Sequence, residues 1–212
     1  MMTMDTTALL TALRDLPSVL KLTPRLEAHS FSRLEGGIPQ AALVELSGAA
    51  GGGKTELCLR FLSEHPELRV AWVEENLTIY PNAFPQNGVA LERVLFVETE
   101  RERVERAVSR LRSRSSERAR GAERFASADA LWTVHQMLRS RLFGVLVLTA
   151  PIAEEMALRR LQLAAEQARA TVILLTESET LRRSWPFALQ ARVERQGGEA
   201  VVTVRKGRGV CA

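Results

Sequence analysis

The chain has 212 residues and a mass of 23.5 kDa, enough for one α/β domain with its own core. Hydrophobic residues make up 46% and charged residues 25%, a globular composition that excludes collagen-like and disordered classes. Net charge is +4, and two cysteines, Cys58 and Cys211, are too few for a disulfide framework, so a reducing compartment is expected.

No apolar run reaches the ~18 residues of a membrane span. The opening MMTMDTTALL has neither the basic nor the apolar part of an export signal, so a cytoplasmic location is expected. From the N-terminus, Leu9, Leu10, Leu13 and Leu16 recur at helical spacing over Thr6–Leu16, and Pro17 ends that helix. Residues 17–40, with Pro17, Pro24, Gly36, Gly37 and Pro39, read as connecting structure. A short strand is expected at Ala42–Leu46, a glycine-rich loop at Gly48–Gly53 and a helix at Thr55–Glu64. Apolar strands follow at Val70–Val73 and Val94–Val97.

Residues 101–124 contain nine arginines and four glutamates, so the excess positive charge is local. Val104, Val108 and Leu111 form one narrow apolar stripe there, and after Leu111 the run RSRSSERARG reads as a solvated linker. This segment is read as a surface helix and loop, or as a contact for nucleic acid or an acidic partner. Beyond it come a helix at Ser127–Ser140, a strand at Val145–Leu148, a helix at Ala153–Ala168 and a strand at Thr171–Leu175. Ala191–Glu194 and Ala200–Val204 flank Gly197-Gly198 and predict a terminal hairpin. Strands alternating with helices predict an α/β fold with a mostly parallel central sheet flanked by helices.

Gly48 to Thr55, GAAGGGKT, matches the phosphate-binding pattern G-x-x-x-x-G-K-[ST] in full, between the strand LVEL and the helix ELCLRFL. Backbone N–H groups freed by Gly48, Gly51, Gly52 and Gly53 can converge on phosphate oxygens at a helix N-terminus. Lys54 would reach the β/γ-phosphates, and the Thr55 hydroxyl would ligate Mg²⁺. The implied cofactor is ATP with magnesium. Hydrolysis asks for two further acids, one at the end of a hydrophobic strand and one that orients water. The strand Val145–Leu148 ends in Thr149-Ala150, with no acid. The strand Val70–Val73 runs into Glu74-Glu75-Asn76, so Glu74 and Glu75 are the candidate bases.

Trp72 and Trp132 are expected in the core, and Trp185 is read as a loop anchor or a base-stacking residue. Cys58 is expected to be packed. His29, His65 and His135 show no ligand spacing, so no metal site is expected beyond Thr55 on magnesium.

The segment FSRLEGGIPQAALVELSGAAGGGKTELCL resembles the start of the RecA ATPase core, with its Gly-Gly-x-Pro turn, apolar strand and phosphate loop. VAWVEENLTIYPNAFPQNGVALERVLFVE is similar to the RecA stretch that holds the catalytic Glu, whose position falls on Asn76. The metal-binding Asp position falls on Thr149, and the γ-phosphate-sensing Gln position on Thr176-Glu177. VVTVRKGRG resembles the strand that ends in two trans-acting lysines, here Lys206 and Arg208. ALWTVHQMLRSRLFGVLVL (130–148) and LRRLQLAAEQA (158–168) look like segments of the ImuA family, RecA-related accessory proteins of bacterial SOS mutagenesis.

That resemblance implies a RecA-like core at 28–212 and an N-terminal helix and linker at 1–27 that could dock a partner through Leu9, Leu10, Leu13 and Leu16; the Arg-rich helix and loop at 99–124 departs from the family. It implies a nucleoid-associated accessory protein of translesion DNA synthesis. Its partners would be RecA and/or ImuB and the error-prone polymerase. The absent acids point to a protein that does not hydrolyse ATP, and the loops after Val145–Leu148 and Thr171–Leu175, shorter than the two with which RecA binds DNA, point to weak or indirect DNA contact. The alternative is an active recombinase-type ATPase that binds DNA.

Overall fold

The computed structural model describes residues 27–99, 117–149, 154–177 and 186–207, with side chains of the 117–140 helix described from Asp129 onward. Leu9, Leu10, Leu13, Leu16, the Arg-rich segment 101–116, Trp185, Arg208 and Cys211 lie outside the described residues.

Strands β1 (Ala28–His29) and β2 (Ile38–Pro39) pair antiparallel within the stretch expected to be connecting structure. The main sheet contains β3 (Leu43–Ser47), β4 (Val70–Glu74), β5 (Val94–Glu98), β6 (Val145–Thr149), β7 (Thr171–Thr176), β8 (Leu189–Gln196) and β9 (Glu199–Gly207). Their spatial order is β5-β4-β6-β7-β3-β8-β9, and every pairing is parallel except β8 with β9. The apolar runs of β3, β4, β6 and β7 are buried over most of their length, as strands covered on both faces must be. Gln196 faces Glu199 across Gly197 and Gly198, whose φ values of 57° and 89° suit a two-residue hairpin turn.

Side-chain alternation sends each strand's residues into one of two cores. Val44, Leu46, Val70, Trp72, Val145, Val147, Ile173 and Val193 pack with Leu57, Phe61 and Leu62 of helix α1 (Lys54–Glu64). Leu43, Ala71, Val73, Leu146, Leu148, Val172 and Leu174 pack against helices α3 (Glu117–Ser140) and α4 (Glu155–Ala168). Between β4 and β5, a four-residue helix α2 (Ala83–Gln86) carries Phe84, whose ring meets Trp72 at 5.5 Å and Phe96 at 5.0 Å, both edge-on. Those contacts seal the α1 core beneath the loop 76–82.

Two expectations are corrected. Helix α3 begins at Glu117, inside the run read as a linker. Arg, Glu and Ala are good helix formers, and the single Gly121 costs only about 1 kcal/mol. Trp132, expected in the core, is 65% exposed. The buried stripe of α3 is Ala130, Val134 and Leu138, and position 132 falls off that face.

Candidate phosphate-loop site

The loop 48–53 joins the C-terminal end of β3 to the N-terminus of α1. Its glycines are required by space as well as by dihedral angle. A Cβ on Gly48 (φ 153°) would stand 2.2 Å from the Val193 carbonyl oxygen. One on Gly53 (φ 99°) would stand 2.7 Å from the Ala200 Cβ. Gly52 is nearly as tight, at 3.0 Å from the Ala49 oxygen and 3.1 Å from the Val193 oxygen. Gly51 (φ 75°) has open space around it but a left-handed backbone. The β8–β9 hairpin therefore presses on the phosphate loop from outside.

No side chain caps the N-terminus of α1, so its first N–H groups keep their donor capacity for an anion. The Lys54 ammonium donates to the Gly48 oxygen and, at 3.0 Å, to the Ala49 oxygen, folding back over its own loop. Burial holds the Lys54 pKa below its usual value, against the opposing pull of the Glu177 carboxylate. Lys54 and Thr55 are the first two residues of α1, so both sit in the turn that faces a bound phosphate. These features fit a nucleoside triphosphate with its magnesium: glycines 48, 51, 52 and 53 and the α1 N-terminus would hold the phosphates, and Lys54 and Thr55 would supply charge and a metal ligand.

Arg195 is a residue that sequence reasoning missed. From β8 its guanidinium donates to Glu56 at 2.7 Å, to the Gly198 oxygen at 2.6 Å and to the Gly51 oxygen at 3.4 Å. Glu56 also accepts from Arg60 at 2.9 Å. Burial acts to raise the Glu56 pKa, but the hydrogen bonds from Arg60 and Arg195 outweigh it, and the net shift is downward. Nothing in the sequence spacing of 56 and 195 signals this pair. It arises because β8 lies beside β3.

The ends of β4 and β6, separated from β3 by β7, are arranged differently. Glu74, the last residue of β4, is 4% exposed and its carboxylate is filled by local donors. Trp72 Nε1 donates at 2.8 Å to one oxygen. The Thr78 N–H, Thr78 hydroxyl and Ile79 N–H donate at 2.7, 3.1 and 3.1 Å to the other. This carboxylate closes the turn after β4. Glu75 is half-buried and Asn76 exposed. Thr149 lies opposite Glu74 in register, and its hydroxyl donates to the Val73 oxygen at 3.5 Å.

Two further polar groups lie away from the loop. Glu45, in mid-β3 and 1% exposed, accepts from Gln190 at 2.7 Å and Thr176 at 3.2 Å, and Lys206 stands opposite Gln190 in register. Lys206 therefore belongs to a polar row crossing β3, β8 and β9. At the opposite end of α1, the fold brings His29, His65 and Glu67 together, although their spacing in the sequence showed no ligand pattern.

No protein-family model and no curated protein matches this sequence. Among solved structures the chain is similar to one titled "Crystal structure of the RadB recombinase", with a TM-score of 0.57 at 14% identity, covering 83% of this chain and 86% of that one. That likeness, with the phosphate loop and the parallel sheet, shows the RecA-like fold. Among the described residues, no helix is long and apolar enough to cross a membrane.

Proposed function

We propose that this chain is a RecA-fold accessory protein of error-prone DNA synthesis that binds ATP–Mg²⁺ at Gly48–Thr55 and acts through protein contacts with RecA and/or the ImuB–polymerase machinery, with little hydrolysis. The observation that carries the reading is the contrast between a complete phosphate cradle and the chemistry around it. Glu74 is committed to four hydrogen bonds with Trp72, Thr78 and Ile79, and Thr149 stands at the end of β6. Held by four donors of its own strand and turn, this carboxylate serves the turn after β4 and is not aimed at a water by the loop. The ImuA-like strings at 130–148 and 158–168 support the choice among RecA-like roles. Modulation of the RecA filament, through the N-terminal leucines 9, 10, 13 and 16, belongs to the same proposal.

Nucleotide binding and turnover measured on the same preparation test it. The full chain is expected to bind a fluorescent ATP analogue with magnesium. Lys54→Ala should weaken that binding about tenfold or more, the loss of charge-assisted hydrogen bonds worth about 1.5–3 kcal/mol. Turnover should remain at the level of Lys54→Ala. Magnesium-dependent turnover that Lys54→Ala abolishes would instead support the alternative, an active recombinase-type ATPase. Capture of RecA and of the ImuB–polymerase pair, compared between wild type and Leu9→Asp/Leu13→Asp, tests the partner half of the proposal.

A further inference from the structure

Helix α1 starts at the phosphate loop and ends about 16 Å away at Glu64, its 11 residues rising ~1.5 Å each. At that far end the chain segment around β1 is pinned to the helix. Ser32 N–H donates to Glu64 at 2.9 Å, and the Ser32 hydroxyl donates to the other carboxylate oxygen of Glu64. Phe61 packs edge-on against Phe31 at 5.6 Å and His29 at 5.8 Å, and tilts against His65 at 4.9 Å. Arg93 donates to the oxygens of Leu62, His65 and Leu68 at 2.5, 2.9 and 2.9 Å, which fixes the turn that carries Glu67.

Within this frame His65 faces two acceptors. Its Nε2 lies 2.7 Å from the Ser30 carbonyl oxygen, so that nitrogen carries the proton and donates. Its Nδ1 lies 3.2 Å from Glu67 Oε1. A neutral ring would then aim a lone pair at a carboxylate, and a cation between the two resolves the contact. His29 stands beside them, ring centroids 5.1 Å apart. Each of the three residues offers a ligand atom within 4.8 Å of the other two. Burial, more than the neighbouring His65, pushes the His29 pKa down, against the pull of Glu67. A histidine whose second nitrogen donates to a backbone carbonyl is the usual outer support of a metal-bound imidazole.

We propose that His29, His65 and Glu67 form a binding site for a divalent transition metal of the zinc class, clipping β1 to the C-terminal end of α1. Two imidazoles and one carboxylate suit Zn²⁺, whose tetrahedral ligand atoms stand about 3.3 Å apart, close to the present Nδ1–Oε1 separation. The other approaches require rotamer adjustments. The Glu67 side chain is 62% exposed, so the ion enters from solvent on that side, and a water completes the coordination.

The test uses the full chain, stripped with chelator and titrated with Zn²⁺ by calorimetry, with the melting temperature followed in parallel. Saturable uptake and a rise in melting temperature are expected. Glu67→Gln, an exposed and fold-neutral change, and His29→Asn should each weaken uptake more than about tenfold, a loss that even outer-shell changes produce. Co²⁺ in place of Zn²⁺ should give the ligand-field bands of a tetrahedral site with nitrogen donors. Wild type and Glu67→Gln that take up Zn²⁺ equally would overturn the proposal. So would a melting temperature that is indifferent to added Zn²⁺.

Discussion

The phosphate loop after β3 and the ends of β4 and β6, on the other side of β7, belong to the same sheet, yet they spend their polar groups differently. The Gly48 and Gly52 N–H groups donate to the Thr176 and Ala49 oxygens, but the α1 N-terminus has no side-chain cap, and Lys54 covers only carbonyl oxygens of its own loop. The strand ends close theirs, with Glu74 filled by Trp72, Thr78 and Ile79 and Thr149 donating back to β4. Under the proposed function, phosphate binding would rest on β3 and α1, while Glu74 at the end of β4 holds the turn through Thr78 and Ile79. Binding and turnover would then be separable, because they would depend on different strands.

Three changes break or sharpen that contrast. The largest effect is expected from Gly48→Ala, which drives a methyl group into the Val193 carbonyl at 2.2 Å in a positive-φ backbone. Stability should fall by about 1–3 kcal/mol or more, with nucleotide binding lost as well, measurable by denaturant melts and analogue fluorescence. Next, Glu74→Ala leaves a buried indole N–H and the Thr78 and Ile79 donors unmatched, so unfolding free energy should drop by about 1–3 kcal/mol while nucleotide affinity is kept. If affinity fell and stability held, the two strand ends would be acting as one site and the contrast would collapse.

The smallest effect is expected at the hairpin. Arg195→Ala removes a half-exposed ion pair with Glu56 and should change stability by no more than about 1 kcal/mol after solvent screening. Because the Glu56 pKa is lowered in the folded chain, that pair stabilises above the usual glutamate value and is lost as pH falls through the folded-state pKa. Acid melts of wild type and Arg195→Ala should therefore converge at low pH and separate toward neutrality.

Much of this fold is legible in the sequence. The phosphate loop announces itself because its glycines, lysine and threonine are contiguous and lie between an apolar strand and a helix. The strands β4, β6 and β7 were legible because burial on both faces leaves unbroken apolar runs. Trp132 was misread because an isolated large apolar residue near a buried stripe looks like part of it, and only the helix phase separates them. The role of Glu74 was hidden for another reason. A carboxylate at a strand end reads as chemistry, and the donors that occupy it come from a turn whose path no periodicity predicts. Arg195 with Glu56, and His29 with His65, were out of reach because each pair joins distant segments through strand order or loop closure.

Cys58 fits the burial side of this account. It is 1% exposed on α1, and burial pushes its thiol up to about 12. It should resist alkylation in the native chain and react once denatured, a direct readout of how tightly α1 is seated.

The contact between Gly53 and Ala200 gives the hairpin authority over a loop it does not belong to. A methyl at position 200 already fills the space where any side chain at 53 would go. Enlarging Ala200 would tighten or displace the phosphate loop without touching a single residue of its motif. Position 200 is therefore a remote adjustment screw: paired substitutions at 53 and 200 should combine non-additively, whereas changes at the open end of the same hairpin, where Leu189 faces Gly207, should not.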